Sequence, residues 1–197
     1  MKVFDISDAQ PDGRVQELIV QGAEGIILKL GETLSGVPTM DDKFVQFVNE
    51  IVAAKLPYGI YYVSHAQDMA KFMEEANFIN DKVAELLNGQ EPELGTWWDM
   101  EVPAVKRSDI WTQLRDAIGT MQRWWNKSNK IGIYAQYSYY NDFIDLQELA
   151  SYQIPVWTAQ YKYPENSLKA EHPELHHVAW QFTTNDENQD ENEWYGF

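Results

Sequence analysis

The chain is 197 residues long, carries 15 basic against 31 acidic residues for a formal charge of −16, and has no cysteine. That length can bury a full core as one domain, residues 1–197, and the charge argues against nucleic acid as a partner because phosphates would be repelled. Without cysteine, neither disulfides nor thiolate chemistry contribute. No apolar run approaches the roughly 20 residues that span a bilayer, so no membrane is expected as partner.

In chain order, Val3-Phe4-Asp5-Ile6-Ser7 reads as a short apolar strand with an acid near its end. Further short runs read the same way: Ile26-Ile27-Leu28-Lys29, Tyr58-Gly59-Ile60-Tyr61-Tyr62-Val63, Ile131-Gly132-Ile133-Tyr134-Ala135, residues 154–161 and residues 178–183. Between them, apolar residues recur at helical spacing. Phe44, Phe47, Val48 and Ile51 form one stripe. Phe72, Ala76, Ile79, Val83 and Leu86 form a second, and Ile110, Leu114, Ile118, Met121 and Trp125 a third. Such stripes face a core. Strand and helix alternate to about Ala150, which argues for parallel βαβ units, and after Tyr152 strands follow with little helix between them. Strands that each carry a polar or aromatic group at the C-terminal end are how an α/β barrel builds a site. The stretch 185–193 reads as a polar, acidic tail.

The run Gly95-Thr96-Trp97-Trp98-Asp99-Met100-Glu101-Val102 carries the most chemistry. Its aromatic composition favours a strand, stopped by Pro103. On a strand Asp99 and Glu101 share a side, with Cα atoms roughly 6.5–7 Å apart, and Met100 faces the other way. Repulsion and desolvation should separate their pKa values, leaving one acid protonated and one ionised near neutrality. That division suits glycoside hydrolysis, which needs a proton on the leaving oxygen and stabilisation of a cationic sugar ring. Asp-x-Glu also occurs on solvated strands and loops, so the pair alone leaves that reading open.

The four histidines, His65, His172, His176 and His177, lack zinc-like spacing, so no metal site is expected and they read as surface or edge residues. Eight Trp and 11 Tyr are present, many at strand ends. Flat aromatic surfaces bind the C–H faces of sugars, although Trp97, Trp124 and Trp180 serve equally well as core.

In order along the chain stand Asp5-Ile6-Ser7, Lys29 with Glu32, Asp42 ahead of Phe44, and Gly59-Ile60-Tyr61. Then come Asp99-Met100-Glu101, Ile133-Tyr134, Trp157-Thr158-Ala159-Gln160-Tyr161 and Trp180-Gln181-Phe182-Thr183. This series resembles the motifs of family 25 glycoside hydrolases, the lysozyme family of bacteriophages, bacteria and fungi, over nearly the whole chain. It departs at Tyr62, where the family usually has histidine.

The resemblance implies an α/β fold, an irregular TIM-like β/α barrel that begins as β/α repeats and ends in consecutive strands. It implies an N-acetylmuramidase acting on peptidoglycan glycan strands, as a monomer and without cofactor. Glu101 is the implied general acid. Asp99 is the implied ionised carboxylate, steadying the cationic sugar or an oxazolinium ion formed by the substrate's own acetamido group. Asp5 and Asp190 would frame the cleft from the first and last strands. Asp190 is chosen because Asp190-Glu191-Asn192 resembles the family's terminal Asp-x-Asn, with Asp186 as the fallback. Tyr61, Tyr62, Lys29, Tyr134, Trp157 and Tyr161 are the expected substrate-binding residues. Action outside the cell or on the wall is implied; since no basic-then-apolar leader precedes the first strand, release would be phage-type, or the chain a trimmed domain. Three rivals stay open: a chitinase-like hexosaminidase, a catalytically silent sugar-binding barrel, and a metal-dependent barrel with Asp5, Asp99 and Glu101 as oxygen ligands.

Overall fold

The computed structural model describes residues 1–184 and 190–197. Nine strands and seven helices alternate along them: β1 (Lys2–Ile6), α1 (Arg14–Val20), β2 (Gly25–Leu34), β3 (Val37–Met40), α2 (Phe44–Ala54), β4 (Tyr58–Val63), α3 (Met69–Leu86) and β5 (Thr96–Asp99). A short 3-10 turn at Pro103–Val105 precedes α4 (Ile110–Trp124), β6 (Ile131–Gln136), α5 (Tyr137–Phe143), α6 (Leu146–Tyr152) and β7 (Val156–Ala159). The chain finishes with α7 (Ser167–Glu171), β8 (His177–Thr184) and β9 (Asp190–Trp194).

The strands form one sheet in the order β1-β9-β8-β7-β6-β5-β4-β2-β3, and β1 also pairs with β2, which closes an eight-stranded barrel with β3 as an appended antiparallel ribbon. From β1 through β2 and β4 to β8 all neighbours are parallel. The closing strand β9 runs antiparallel to both β8 and β1. The expected TIM-like barrel is therefore present, regular at first and irregular at its end, where α7 is only five residues long. Closure removes the free edges that an open sheet would expose.

Period-two alternation builds two separate cores. Outward residues such as Phe4, Ile26, Leu28, Ile60, Trp98, Met100 and Ile133 pack against the helices. The α2, α3 and α4 stripes meet them there, as the helical spacing predicts. Inward residues Val3, Ile27, Trp97, Tyr134, Trp157, Ala179 and Trp194 fill the barrel. Three indoles need space, and Gly132 supplies it: a Cβ there would lie 2.5 Å from the Trp97 ring. Trp97 packs edge-on against Trp157 and Trp194 and stacks on Phe197 at 6.1 Å.

Two elements depart from the sequence reading. The hairpin of β2 and β3 extends beyond the expected strand at Lys29, after a bulge between Lys29 and Gly31. At Gly31 a Cβ would approach the Thr39 carbonyl oxygen to 2.2 Å, so only glycine lets β3 fold back this closely. The second is β9, which arises from the stretch read as an acidic tail. Its Asn192 and Trp194 are buried while Glu193 is exposed, the alternation of a half-buried strand carried by polar residues.

Candidate active site

The C-terminal ends of the parallel strands place Asp5, Lys29, Tyr61 and Asp99 around one mouth of the barrel. β9 enters this mouth from the opposite direction, and its register sets Asp190 directly across from Asp5. Glu101 lies just beyond the end of β5, which stops at Asp99. Met100 turns outward and is fully buried under the helices, so the two acids share the barrel side as expected, although only Asp99 is held by the strand.

Asp5 is held by a chain of amides. Its Oδ2 accepts from Asn192 Nδ2 at 2.7 Å and from Gln181 Nε2 at 3.0 Å. Gln181 Oε1 in turn accepts from the Tyr134 hydroxyl at 2.8 Å and from the Tyr161 hydroxyl. Asn192 Oδ1 accepts from Trp157 Nε1 at 2.7 Å. Burial pushes the Asp5 carboxyl up to about 7 from its ordinary 3.8; the charge of Asp190 adds to this and the amide donors oppose it.

Asp99 is 3% exposed, and its Oδ1 is buried without a hydrogen-bond partner. Desolvation, then the charges of Glu101 and Asp5, hold this carboxyl well above the usual carboxylate range, against the pull of Lys29. Glu101 is exposed at the mouth. Its carboxyl is raised by partial desolvation and by Asp190, and lowered by Lys106 and Lys29. Both carboxyls of the pair are thus raised by desolvation and by neighbouring acids. Asp99 is the acid that burial most strongly resists charging, because it sits inside the wall while Glu101 reaches solvent.

Tyr61 stands among the acids, its hydroxyl raised by burial and then by Asp5, Asp99, Asp41 and Asp190. Lys29 Nζ pairs with Glu32 Oε2 at 2.7 Å, and Glu32 Oε1 bonds His65 Nε2 at 2.8 Å, so His65 belongs to the rim of the site rather than to a plain surface. Desolvation raises the Glu32 carboxyl, but hydrogen bonds from Lys29 and His65 outweigh it and bring the net shift below the ordinary value.

Two expected substrate-binding residues are not on the cleft surface. Tyr62 is 0% exposed and faces the helices, its hydroxyl bonded to Thr33 at 2.9 Å and its ring against Phe78. Adjacent residues of one strand point to opposite faces, so Tyr61 and Tyr62 cannot both line the cleft. Trp157 is 1% exposed and wedged between Tyr134, at a ring separation of 4.4 Å, and Trp97. It is barrel filling. Tyr134 is nearly buried as well, with its hydroxyl at the Gln181 amide, while Tyr161 keeps part of its surface exposed.

The acid before Phe44 that reaches inward is Asp41, not Asp42. Asp42 is exposed, whereas Asp41 is buried and accepts from the Asp8 and Lys43 backbone N–H groups. Sequence reasoning also gave no role to Gln181 and Asn192 in holding Asp5; the signal was an isolated amide at an inward position of an otherwise apolar strand end. Asp186 lies outside the described residues. Among the described residues, Asp5, Asp99 and Glu101 do not form a group able to hold a metal ion, nor do any other three His, Asp or Glu side chains.

A β/α barrel with carboxyl groups of unequal exposure and raised pKa around the C-terminal mouth is the apparatus of an acid-catalysed hydrolase. The sequence profile described as Glycosyl hydrolases family 25 matches residues 4–191, and the chain belongs to that family. No protein of curated function matches its sequence. Among solved structures it is similar to the modular autolysin LytC of Streptococcus pneumoniae, with TM-score 0.77 and 18% identity, over 98% of this chain and 46% of that one. LytC has also been solved in complex with a synthetic peptidoglycan ligand. It is similar to the CTP1L endolysin, with TM-score 0.76 and 22% identity, over 98% of this chain and 66% of that one. The bacterial lysozyme of Streptomyces coelicolor has TM-score 0.74 and 18% identity, over 100% of this chain and 92% of that one. At these identities the likeness is one of fold, and this chain spans about half the length of LytC.

Proposed function

We propose that the protein is a lysozyme that hydrolyses the β-1,4 bond between N-acetylmuramic acid and N-acetylglucosamine in peptidoglycan, acting on the bacterial wall. The observation that carries this is the placement of Asp5, Asp99, Glu101 and Asp190 around one barrel mouth in a chain of this family. The naming of the related folds as autolysin, endolysin and lysozyme supports the substrate class.

Glu101 is the general acid in this reading. It is the carboxyl that reaches solvent, its pKa is raised by desolvation and by Asp190, and it can hand its proton to the leaving oxygen. Asp99 lies deeper, where low dielectric magnifies its effect on developing charge. As positive charge grows on the sugar or on an oxazolinium ring, it offsets the repulsion from Asp5 and Glu101 and favours the ionised form of Asp99 as its counterion. Substrate assistance of this kind is an accepted alternative to the two-carboxylate scheme. Asp5 and Asp190 set the potential around Glu101, and Tyr61, Lys29 and Tyr161 offer polar edges to sugar hydroxyls. The chain works as one domain and as a monomer.

The test is digestion of purified peptidoglycan, with the new reducing ends identified by mass spectrometry. New N-acetylmuramic acid ends support the proposal. N-acetylglucosamine ends, or cleavage of chitin oligomers alone, indicate a different hexosaminidase, and no cleavage indicates a silent sugar-binding barrel.

A further inference from the structure

Beside Glu101 lies a pocket of about 190 Å³ lined by Met100, Glu101, Lys106, Gln136, Asp142 and neighbouring residues of α5. It is small, opens next to the proposed acid, and contains a cation the mechanism does not use.

The charge inventory of the mouth is one-sided. Asp5, Asp99, Glu101, Asp190, Asp41 and Glu32 all act on one another or on the tyrosine and carboxyl groups between them. Of the cations nearby, Lys29 is engaged by Glu32 at 2.7 Å. Arg107 forks onto Asp109 and donates to the Gln67 carbonyl. Lys106 is different: it is exposed, and it makes no ion pair among the described residues. Its charge nevertheless reaches the Glu101 carboxyl. Asp142 lines the same pocket without closing onto Lys106, and it is exposed to water that screens it. Gln136 is likewise exposed and free to donate.

We propose that Lys106 and the pocket beside Glu101 form a specificity subsite for a carboxylate carried by the substrate. This rests on the lysozyme reading and adds to it. Muramic acid differs from glucosamine by its lactyl ether, and the carboxylates of the polymer lie either on that lactyl group or on the peptide attached to it. An anionic substituent brought to so acidic a mouth is repelled unless one cation meets it. Lys106 meets it as a point charge and Gln136 adds an uncharged hydrogen bond. The same contact holds the sugar against Glu101 and separates muramic-containing strands from neutral chitin-like ones.

The test compares kcat/KM of the wild type, Lys106→Met and Lys106→Arg on three substrates, each at its own pH optimum. These are peptide-free glycan strands with free lactyl carboxylates, the same strands with the carboxylates amidated, and strands bearing their peptides. Lys106→Met should lose about tenfold on a carboxylate-bearing strand and less than twofold on the amidated one, with Lys106→Arg close to wild type. Loss on the peptide-free strands assigns the lactyl carboxylate; loss confined to the peptide-bearing strands assigns the peptide. Removing the Lys106 charge also raises the Glu101 pKa, and that moves the alkaline limb of the pH profile upward equally on all three. An equal change in kcat/KM on all three, or none on any, overturns the subsite while leaving the lysozyme reading intact. A wild type that cuts none of the three overturns both.

Discussion

Replacing Asp5 by asparagine should stabilise the fold at neutral and alkaline pH while lowering activity. Asp5 is 8% exposed, and burial with the charge of Asp190 pushes its carboxyl from 3.8 up to about 7. The unfolded chain ionises the same group at its ordinary value, so between those two values the folded protein holds a proton that the unfolded chain has lost. The stability associated with this group is complete below about pH 3.8 and is lost as pH rises through about 7. A shift of roughly three units at 1.36 kcal/mol each sets a ceiling of about 4 kcal/mol at pH 8. Both donors, Gln181 Nε2 and Asn192 Nδ2, arrive at Oδ2, so an amide oxygen can take its place. The new amide nitrogen must find an acceptor, and relief shared with Asp99 and Asp190 is not all credited to one site. The expected gain is therefore about 1–2 kcal/mol, or roughly 2–8 °C in Tm for a chain of this size. Thermal unfolding of wild type and Asp5→Asn at pH 4 and pH 8, with wall lysis measured in parallel, checks this. Asp5→Asn should gain at pH 8 and change little at pH 4, with lysis reduced at least tenfold. A loss of stability at pH 8, or the same gain at both pH values, would refute the electrostatic reasoning.

Glu101→Gln should keep its fold and lose about 10²–10⁴-fold in turnover, the usual contribution of acid–base catalysis, and near-normal lysis by the folded variant would sink the assignment. Trp157→Phe removes the donor from Asn192 Oδ1 and should cost about 1–3 kcal/mol with KM unchanged; a raised KM without loss of stability would return Trp157 to the cleft. Wall lysis should rise as salt goes from about 0.01 to 0.1 M, because the Debye length falls from about 30 to about 10 Å and a chain of −16 is then less repelled by acidic walls. A steady fall with added salt would show instead that Lys106 steers binding over long range.

Much of the site was legible in the linear chain because alternation on strands is a local property. The run Trp97-Trp98-Asp99-Met100-Glu101 determined by itself that the two acids share a side and that Met100 opposes them. The same rule, applied strictly, would have separated Tyr61 from Tyr62; the family pattern of adjacent ring-bearing residues obscured it. The three helical stripes and the β/α alternation determined the layering of helices on parallel strands, since each apolar face has to find a partner layer.

Other features were decided only when the ends of the chain met. Composition does not mark residues 190–194 as a strand, because Asn192 and Trp194 are buried only by virtue of β1 and β8 on either side. Closure by β9 brings Asp190 opposite Asp5 and Asn192 onto it, contacts across some 185 residues of sequence. The protonation order of the acids was likewise a tertiary matter. Residue types say that two carboxyls are close, but the depth of each in the wall sets its desolvation, and that depth is what leaves Asp99 charged at greater cost than Glu101. Trp157 follows the same logic: an indole at a strand end can hold a sugar or fill a barrel, and the radius left by Trp97, Tyr134 and Trp194 determines that it fills.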